Sequence, residues 1–321
     1  MNVNISGGEP LIRTDILQIL EGFRHAGMRF DLVSNGSLLT AEHAEFIAKL
    51  NRCNFVQLSF DGPEKTHDAA RGKGAFSGAV RAIELLRRYK IPVRLRDTIG
   101  KHNLGRLAET AKIVFEELKL PALTTNCVSI ENLCGKNPAG LELSIADLFS
   151  SIDEHLTVAA RYPNHLFGGT GPLGIFLRWH NLYRQKQENR RVAYSGCLAG
   201  CGASFKQMGV RADGEMVPCV QLPAIELGRI NQTALLNAWR SPEMERLRNR
   251  RTVQLQAFDQ CRECPYRDFC VGGCPAYSAF DAADSSRRVC RFCLREAEEF
   301  AGRDSLAAMF DAFDRNTVNR Q

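Results

Sequence analysis

The chain has 321 residues, 44% of them hydrophobic and 24% charged, which is an ordinary composition for a globular protein. No run of about 18 apolar residues occurs, so we expect no membrane-spanning helix. Met1–Glu9 lacks the basic and apolar stretches of a secretory signal, and we therefore expect a cytoplasmic protein. The net charge of +6 is spread along the chain among 36 acidic residues, and such mixed charge does not indicate nucleic-acid binding.

The N-terminal part alternates short β-branched or apolar runs with longer segments whose apolar residues recur every three or four positions. The runs predict strands at Val3–Ile5, Phe30–Ser34, Phe55–Phe60, Val93–Ile99 and Leu123–Ile130. Thr14 and Thr40 stand where helix N-caps are expected. Strands that alternate with helices predict a parallel sheet covered by those helices. The chain opens inside a strand, so we expect further sequence upstream of Met1.

Polar or glycine-rich segments follow three of these strands. They are Ser6–Pro10, Ser34–Gly36 and Ser59–Gly62. The carboxyl ends of parallel strands meet at one edge of a sheet, and α/β proteins bind their ligands at that edge. Any one of these segments is more typical of an ordinary βα turn, and the three together at one edge support a ligand site as well as they support ordinary turns.

Two of these segments resemble motifs of the radical S-adenosylmethionine (SAM) enzymes. Gly7–Pro10 is similar to their GGEP motif, which binds the amino group of SAM. Ser59–Gly72 resembles their signature S-x-D-G-P-x-x-x-H-D-x-x-R-G. The resemblance implies an α/β fold, namely a partial (β/α)6 radical SAM barrel that lacks its first βα unit.

The same resemblance implies which residues contact SAM. The implied set is Gly7, Gly8, Glu9, Asn35, Ser59 and Arg71. Within it, Ser59 and Arg71 contact the ribose and the carboxylate of SAM, and Asn35 lies nearby. His67 is expected to be a capping or packing residue.

One element of the superfamily pattern does not occur before Gly7. It is C-x-x-x-C-x-x-C, whose thiolates hold the [4Fe–4S] cluster that binds and cleaves SAM. Cys127 and Cys134 have the wrong spacing and follow the motif that they should precede. Two explanations stay open: a sequence that omits the first βα unit, or a homologue that has lost catalysis.

Residues 144–190 have a helical pattern and carry no chemical motif. Gly168–Pro172 interrupts the pattern, and because no Lys-Ser or Lys-Thr pair follows it, a plain loop is predicted. We therefore expect a helical connector at 144–195 between a first domain at 1–143 and a cysteine-rich domain at 196–293. A C-terminal helix is expected at 294–321.

Nine of the twelve cysteines lie between Cys197 and Cys293. In a reducing cytosol, such cysteines bind metal more often than they form disulfides. Either an iron–sulfur cluster or a zinc site takes four thiolates. The intervals in C-x2-C-x5-C-x3-C do not form the two pairs of a zinc ribbon, which favours clusters.

The full cysteine spacing resembles the SPASM domain of radical SAM maturases. The resemblance implies two auxiliary [4Fe–4S] clusters. One would take Cys197, Cys201, Cys219 and Cys274, and the other would take Cys261, Cys264, Cys270 and Cys290. Cys293 is an alternative to Cys290. Val210–Cys219 fits the hairpin of that domain, with Asp213-Gly214 as its turn.

The combined resemblance implies a maturase that abstracts a hydrogen atom from a peptide or protein substrate. Its auxiliary clusters would transfer electrons, and its electron donor would be a protein such as a flavodoxin or ferredoxin. Sulfatase maturation is disfavoured because Val220 stands where that branch has an Asp base. The sequence assigns no catalytic residue. Three alternatives stay open: a non-catalytic iron–sulfur electron-transfer or scaffold protein, an enzyme that dehydrogenates a small molecule or modifies a tetrapyrrole side chain, and a zinc-binding module.

Overall fold

A computed structural model describes residues 1–128, 140–200, 202–276, 278 and 283–318. The chain divides into two compact units, Met1–Ile175 and Phe176–Gln321. In these described ranges, no helix is long and apolar enough to cross a membrane. Cys134, Cys201 and the end of the strand predicted at Leu123–Ile130 lie outside the described residues.

The first unit alternates strands with helices. Its strands are β1 (Asn2–Ile5), β2 (Arg29–Ser34), β3 (Cys53–Ser59), β4 (Val93–Ile99), β5 (Ala122–Cys127) and β6 (Leu166–Gly169). Its helices are α1 (Ile16–His25), α2 (Ala41–Leu50), α3 (Glu64–Arg71), α4 (Ala75–Arg88), α5 (Leu107–Lys112) and α6 (Ile145–Arg161). The strands form one parallel sheet in the order β1-β2-β3-β4-β5-β6. The predicted α/β class is confirmed.

The two faces of the sheet differ, because successive residues of a strand point to opposite faces. One face packs against the helices and carries fully buried apolar side chains, among them Phe30, Leu32, Val56, Leu58 and Leu95. We call the opposite face the polar face. Strand register places these residues on it: Asn4, Asp31, Phe55, Gln57, Ser59, Arg94, Arg96 and Thr124.

Strand β6 lies within the stretch for which we expected only helix and loop, and that prediction was wrong there. Leu166–Gly169 pairs in parallel with β5. A Cβ on Gly169 would stand 2.1 Å from the carbonyl oxygen of Thr125, so the strand needs glycine where it meets β5. Because glycine is typical of loops, its presence concealed the strand in the sequence.

Helix α2 begins with the predicted cap. The Thr40 hydroxyl accepts from the His43 N–H at 3.2 Å, and the His43 ring accepts from the Thr40 N–H at 3.3 Å, which forms a capping box. The cap predicted for α1 is wrong by one residue. Asp15, not Thr14, is the N-cap of α1, and its side chain makes no capping hydrogen bond.

The second unit is made of short elements and one long helix at each end. They are α7 (Pro172–Gln187, which begins in the first unit), α8 (Ala203–Lys206), β7 (Gly209–Val210), β8 (Met216–Val217), α9 (Leu235–Trp239), α10 (Pro242–Asn249), α11 (Asp259–Arg262), α12 (Leu294–Ala301) and α13 (Arg303–Val318). The predicted hairpin is confirmed, because β7 and β8 pair antiparallel. The single helix expected at the C-terminus is two helices that meet at Gly302.

Candidate functional site

The carboxyl ends of β1 and β2 meet at the carboxylate of Glu9. The Ser34 hydroxyl donates to Glu9 Oε1 at 2.8 Å, and the Asn35 N–H donates to Glu9 Oε2 at 2.7 Å. The Leu11 N–H also donates to Oε1, at 3.2 Å, so Glu9 caps the short 3-10 turn Pro10–Ile12. Glu9 therefore joins two of the three strand ends that the sequence analysis selected.

Open space lies beside the two glycines that precede Glu9. A Cβ added to Gly7 or Gly8 would meet no heavy atom within 4 Å. Gly7 has a φ of +152°, a conformation that glycine adopts without strain. A ligand has room to approach this backbone closely, and the predicted contact of both glycines with SAM stays a prediction.

Asn35 and Ser59 lie at the same edge, after β2 and at the end of β3. The Asn35 Oδ1 accepts from the Ser37 N–H at 2.8 Å and from its hydroxyl at 2.6 Å, so this side chain stabilises its own turn. Ser59 is half-buried on the polar face, next to Arg96 in the β3–β4 register. The structure thus brings together all the predicted SAM residues that come from strand ends.

Arg71, the remaining predicted SAM residue, pairs with a carboxylate of the chain. Its Nε donates to Asp61 Oδ2, and the other oxygen of Asp61 accepts from the Thr98 N–H at 3.0 Å. The Asp61 side chain is buried, whereas that of Arg71 is 31% exposed. Because a guanidinium has five N–H donors, this pair orients Arg71 and leaves donors for a second carboxylate.

A second buried carboxylate, which the sequence analysis did not select, lies near Asp61. Asp97 is buried on the helix-covered face of β4, and its Oδ1 accepts from Asn103 Nδ2 at 2.8 Å. Burial, with the nearby charge of Asp61, raises the pKa of Asp97 well above its usual range. The sequence did contain a signal for this site. Asp97 lies between Leu95 and Ile99 in β4, at a position where the alternation of the strand predicts an apolar side chain.

His67 has the packing role that we expected from the sequence. It is fully buried, its ring lies 5.7 Å from that of Phe60, and its Nδ1 accepts from the Asp61 N–H at 2.9 Å. Burial lowers the pKa of His67, so the neutral ring is favoured. The histidine therefore fixes the backbone of Asp61, the residue that orients Arg71.

Five cysteines of the second unit lie close enough to change one another's pKa. They are Cys261, Cys264, Cys270, Cys290 and Cys293. Burial, reinforced by the neighbouring thiols, raises the pKa of Cys261 to about 12 and that of Cys270 to about 11. Among these thiols, Cys264 and Cys293 influence each other most strongly. The neighbouring Cys264 thiol and burial together raise the pKa of Cys293.

The donor chemistry of this group matches an iron–sulfur cluster, which thiolates hold. The Gly272 N–H donates to Cys270 Sγ at 3.3 Å, a contact that favours the thiolate. In the described part of the chain, however, no three His, Cys, Asp or Glu side chains are arranged to hold one metal ion. The five sulfurs therefore lie near one another. Their chemistry fits an iron–sulfur cluster, whereas their described positions are not arranged to hold one metal ion.

The two alternatives for the last ligand of this group have different surroundings. Cys293, the N-cap of α12, lies close enough to Cys264 for each thiol to change the pKa of the other. The Cys290 sulfur accepts from Arg178 Nη2 at 3.8 Å and lies 3.3 Å from the Phe292 carbonyl oxygen. The choice between Cys290 and Cys293 stays a prediction.

Side-chain amides point at two of the other predicted ligands. Gln254 Nε2 donates to the buried Cys197 sulfur at 3.4 Å, and Gln207 Nε2 donates to the Cys219 sulfur at 3.9 Å. Such N–H···S contacts stabilise negative charge on sulfur. The ligand roles of Cys197, Cys219 and Cys274 stay predictions.

Two family profiles match this chain. The profile of the Radical SAM superfamily covers residues 2–114, which include the GGEP-like segment and Arg71. The profile of SPASM, an iron–sulfur cluster-binding domain, covers residues 201–265, which include the hairpin and Cys219.

Two proteins of similar sequence have the name AdoMet-dependent heme synthase. The protein from Methanosarcina barkeri is 29% identical over 283 residues, which cover 84% of this chain and 75% of that protein. The protein from Nitratidesulfovibrio vulgaris is 26% identical over 293 residues, which cover 84% of this chain and 73% of that protein.

Two solved structures share the fold. Native anSMEcpe with bound AdoMet and the Kp18Cys peptide is 19% identical with a TM-score of 0.69, over 97% of this chain and 85% of that chain. Streptococcus suis SuiB bound to its precursor peptide SuiA is 16% identical with a TM-score of 0.66, over 91% of this chain and 65% of that chain.

Proposed function

Because the chain belongs to the radical SAM superfamily and carries a SPASM domain, we propose that it works in SAM-dependent radical chemistry supported by auxiliary iron–sulfur clusters. The observation that carries this proposal is the Glu9 carboxylate, which joins β1 to β2 beside open glycine backbone. When bound, SAM would supply a radical that abstracts a hydrogen atom from the substrate, once it is cleaved by one electron from a [4Fe–4S] cluster whose C-x-x-x-C-x-x-C ligands do not occur before Gly7. The residues of this chain bind SAM and orient it.

The geometry supports a specific role for each residue of the SAM site. A carboxylate accepts about four hydrogen bonds. Three donors of the chain already reach Glu9, which leaves a position for the ammonium of SAM. Arg71, oriented by Asp61, supplies free N–H donors to the carboxylate of SAM. Ser59 offers its hydroxyl to the ribose from the neighbouring strand end.

The cysteines of the second unit are proposed to hold the auxiliary clusters. We infer one cluster on Cys197, Cys201, Cys219 and Cys274, and another on Cys261, Cys264 and Cys270 with Cys293 or Cys290. The clustered, buried thiols support the second set, because each shifts the pKa of its neighbours. Such clusters move single electrons between the substrate and a donor protein of the flavodoxin or ferredoxin type.

For the substrate, we infer a planar small molecule of the tetrapyrrole class that carries carboxylate side chains. The two AdoMet-dependent heme synthases support it, because each aligns with 84% of this chain. The peptide or protein substrate that the SPASM resemblance implied is the second candidate. It is supported by the SPASM match itself.

Equilibrium dialysis with labelled SAM tests the binding proposal. Glu9→Gln keeps the shape of the side chain and removes its charge, so we expect SAM affinity to fall about tenfold, as for the loss of one charge-assisted hydrogen bond. The matched control is Glu21→Gln on helix α1, a partly exposed residue paired with Arg24, which should leave SAM affinity unchanged. Equal SAM affinity in wild type and Glu9→Gln would refute the role of Glu9.

Metal analysis on the same protein separates the rival functions. An iron-containing wild type that does not bind SAM would indicate an electron-transfer or scaffold protein. Stoichiometric zinc with little iron would indicate a structural metal module, since zinc also takes four thiolates. Iron together with SAM binding supports the proposed function.

A further inference from the structure

Strand β4 places two arginines on the polar face of the sheet. Arg94 and Arg96 alternate with Leu95 and Asp97, which point to the helix-covered face. The middle strands of a parallel α/β sheet are usually apolar on both faces. Two guanidinium groups in the centre of the sheet therefore need a physical explanation.

Arg96 is half-buried and has no acidic partner in the part of the chain that the structure describes. Its Nε is fully enclosed and makes no hydrogen bond there. Its Nη1 donates to Asn126 Oδ1 at 3.2 Å, in the amide orientation that satisfies both atoms of Asn126. Burial lowers the pKa of Arg96, and among the described residues no carboxylate counteracts this decrease.

Arg71 shows what a compensated arginine looks like in the same unit. Its guanidinium pairs with the buried Asp61, so its charge is balanced inside the chain. A half-buried cation without such a partner is unfavourable, because the partial loss of water around the charge is not offset. An anion that arrives with a ligand would balance Arg96 in the way that Asp61 balances Arg71.

Arg94 adds a flat surface and a second charge beside Arg96. Its guanidinium lies 3.9 Å above the centre of the Phe55 ring, a stacked cation–π arrangement. Gln57 is its register partner on β3, so Phe55, Gln57 and Arg94 share one patch of the polar face. This patch matches a planar ligand with acidic substituents at its rim.

We propose that Arg96, with Arg94 beside it, binds a carboxylate of the substrate on the polar face of the sheet. The inference rests on the proposed function and deepens it, because it names the residues that select an acidic substrate. SAM also carries a carboxylate, for which Arg71 already supplies donors. Arg96 lies beside Ser59 in the β3–β4 register, and Arg94 lies two residues further from that strand end, about 7 Å along a parallel strand.

Binding of two porphyrins tests the proposal without any radical reaction. One porphyrin carries four carboxylate side chains and the other is its tetramethyl ester, and quenching of porphyrin fluorescence reports the affinity of each. We expect wild type to prefer the acid. Arg96→Ala should weaken binding of the acid at least about tenfold and leave the ester unchanged, because only the acid pairs with the guanidinium. Arg94→Ala should have a smaller effect of the same sign.

The controls keep folding and SAM binding apart from recognition of the substrate. Arg88→Ala, on the exposed side of α4, should behave as wild type. If Arg96→Ala does not fold, Arg96→Gln takes its place, because it keeps a donor for Asn126 and removes the charge. SAM affinity, measured by dialysis, should be the same in wild type and in both arginine variants.

Each outcome of these binding measurements supports or overturns one specific proposal. Equal affinity of wild type and Arg96→Ala for the acid overturns the arginine proposal alone. A fall of SAM affinity in Arg96→Ala also overturns it, and assigns Arg96 to the carboxylate of SAM. A wild type that binds SAM but neither porphyrin refutes the tetrapyrrole substrate of the proposed function, and the arginine proposal falls with it.

Discussion

The two units position their functional residues by different means. In the first unit, the ends of neighbouring strands bring Glu9 against Ser34 and Asn35, so the register of the sheet decides which groups meet. In the second unit, α8 has 4 residues and β7 and β8 have 2 each, so turns and small apolar clusters hold the cysteines. The sheet therefore fixes the residues proposed to bind SAM, whereas in our proposal the thiols of the second unit reach their final geometry only when metal binds.

Removal of one thiol should therefore affect only the second unit. We expect Cys293→Ala to lower the iron content of anaerobically reconstituted protein by about four atoms per chain, since one [4Fe–4S] cluster is lost. SAM affinity should not change. Iron analysis and electron paramagnetic resonance measure the first effect, and dialysis measures the second.

Two further variants sharpen this test. Cys53→Ala in β3 is the control, because that thiol is partly buried, donates to the Phe55 carbonyl oxygen at 3.3 Å and has a pKa raised to about 12 by burial. It should retain all iron. Cys290→Ala should also retain more iron than Cys293→Ala. The reverse order would assign the last ligand to Cys290.

The first unit should be the more sensitive of the two to mild acid, because it buries a neutral histidine. Both ring nitrogens of His155 form hydrogen bonds. Nε2 lies 3.1 Å from Thr125 Oγ1, and Nδ1 donates to the Ser151 carbonyl oxygen at 2.6 Å. Burial lowers its pKa from 6.5 to about 4. Between pH 6.5 and about pH 4, the unfolded chain therefore binds more protons than the folded chain. The free energy of unfolding decreases as pH falls through this range.

The expected loss is about 3 kcal/mol of unfolding free energy between pH 7 and pH 4, from the size of this shift. Urea unfolding across that range measures it. His155→Gln keeps polar contacts and cannot titrate, so its unfolding free energy should depend less on pH. The same pH dependence in the variant and in wild type would show that His155 is not the responsible group.

Loss of the buried charge at Asp61 should have the next largest effect. Asp61→Asn removes the ion pair with Arg71, and we expect the free energy of unfolding to fall by about 2 kcal/mol, less than for a fully buried pair because Arg71 is partly exposed. SAM affinity should fall as well, because Arg71 loses its orientation. The exposed pair of Arg13 and Asp15 provides the control, and Asp15→Asn should change neither quantity.

The smallest effect is expected at a helix start. Thr40→Ala removes the capping box of α2 and should destabilise the first unit by about 1 kcal/mol, measured by urea unfolding. Thr14→Ala is the matched control, since Asp15 rather than Thr14 precedes α1. A larger loss in Thr14→Ala than in Thr40→Ala would contradict the observed caps.

The sequence predicted the first four strands because each is a short run of β-branched or apolar residues between helical segments. Val93–Ile99 has the predicted bounds, and the three selected strand ends lie at one edge of the sheet. The pairing of Asp61 with Arg71 and the unbalanced charge of Arg96 were not predictable in this way. Both depend on which side chains meet across strands and helices, and periodicity along one strand carries no such information.

In the second unit, the sequence indicated the chemistry of the site and not its geometry. Cysteine spacing selected Cys264 and left Cys293 open, and in the structure these two thiols lie close enough to change each other's pKa. Spacing identified the chemical type of the site without its geometry. Short elements with few apolar contacts do not fix a unique arrangement of thiols, so no hydrophobic pattern could have supplied the missing distances.

The close contacts of the glycines in β6 and just after it limit which substitutions the sequence tolerates. Added Cβ atoms on Gly169, Gly171 and Gly174 would stand 2.1, 2.7 and 2.3 Å from their nearest atoms, two of them backbone oxygens. At these positions alanine should be nearly as harmful as tryptophan, because a single methyl group already collides. At Gly7 and Gly8, where a Cβ meets open space, tolerance should instead decline gradually as the side chain grows. Saturation mutagenesis would thus separate glycines required by the sheet from glycines required by a ligand.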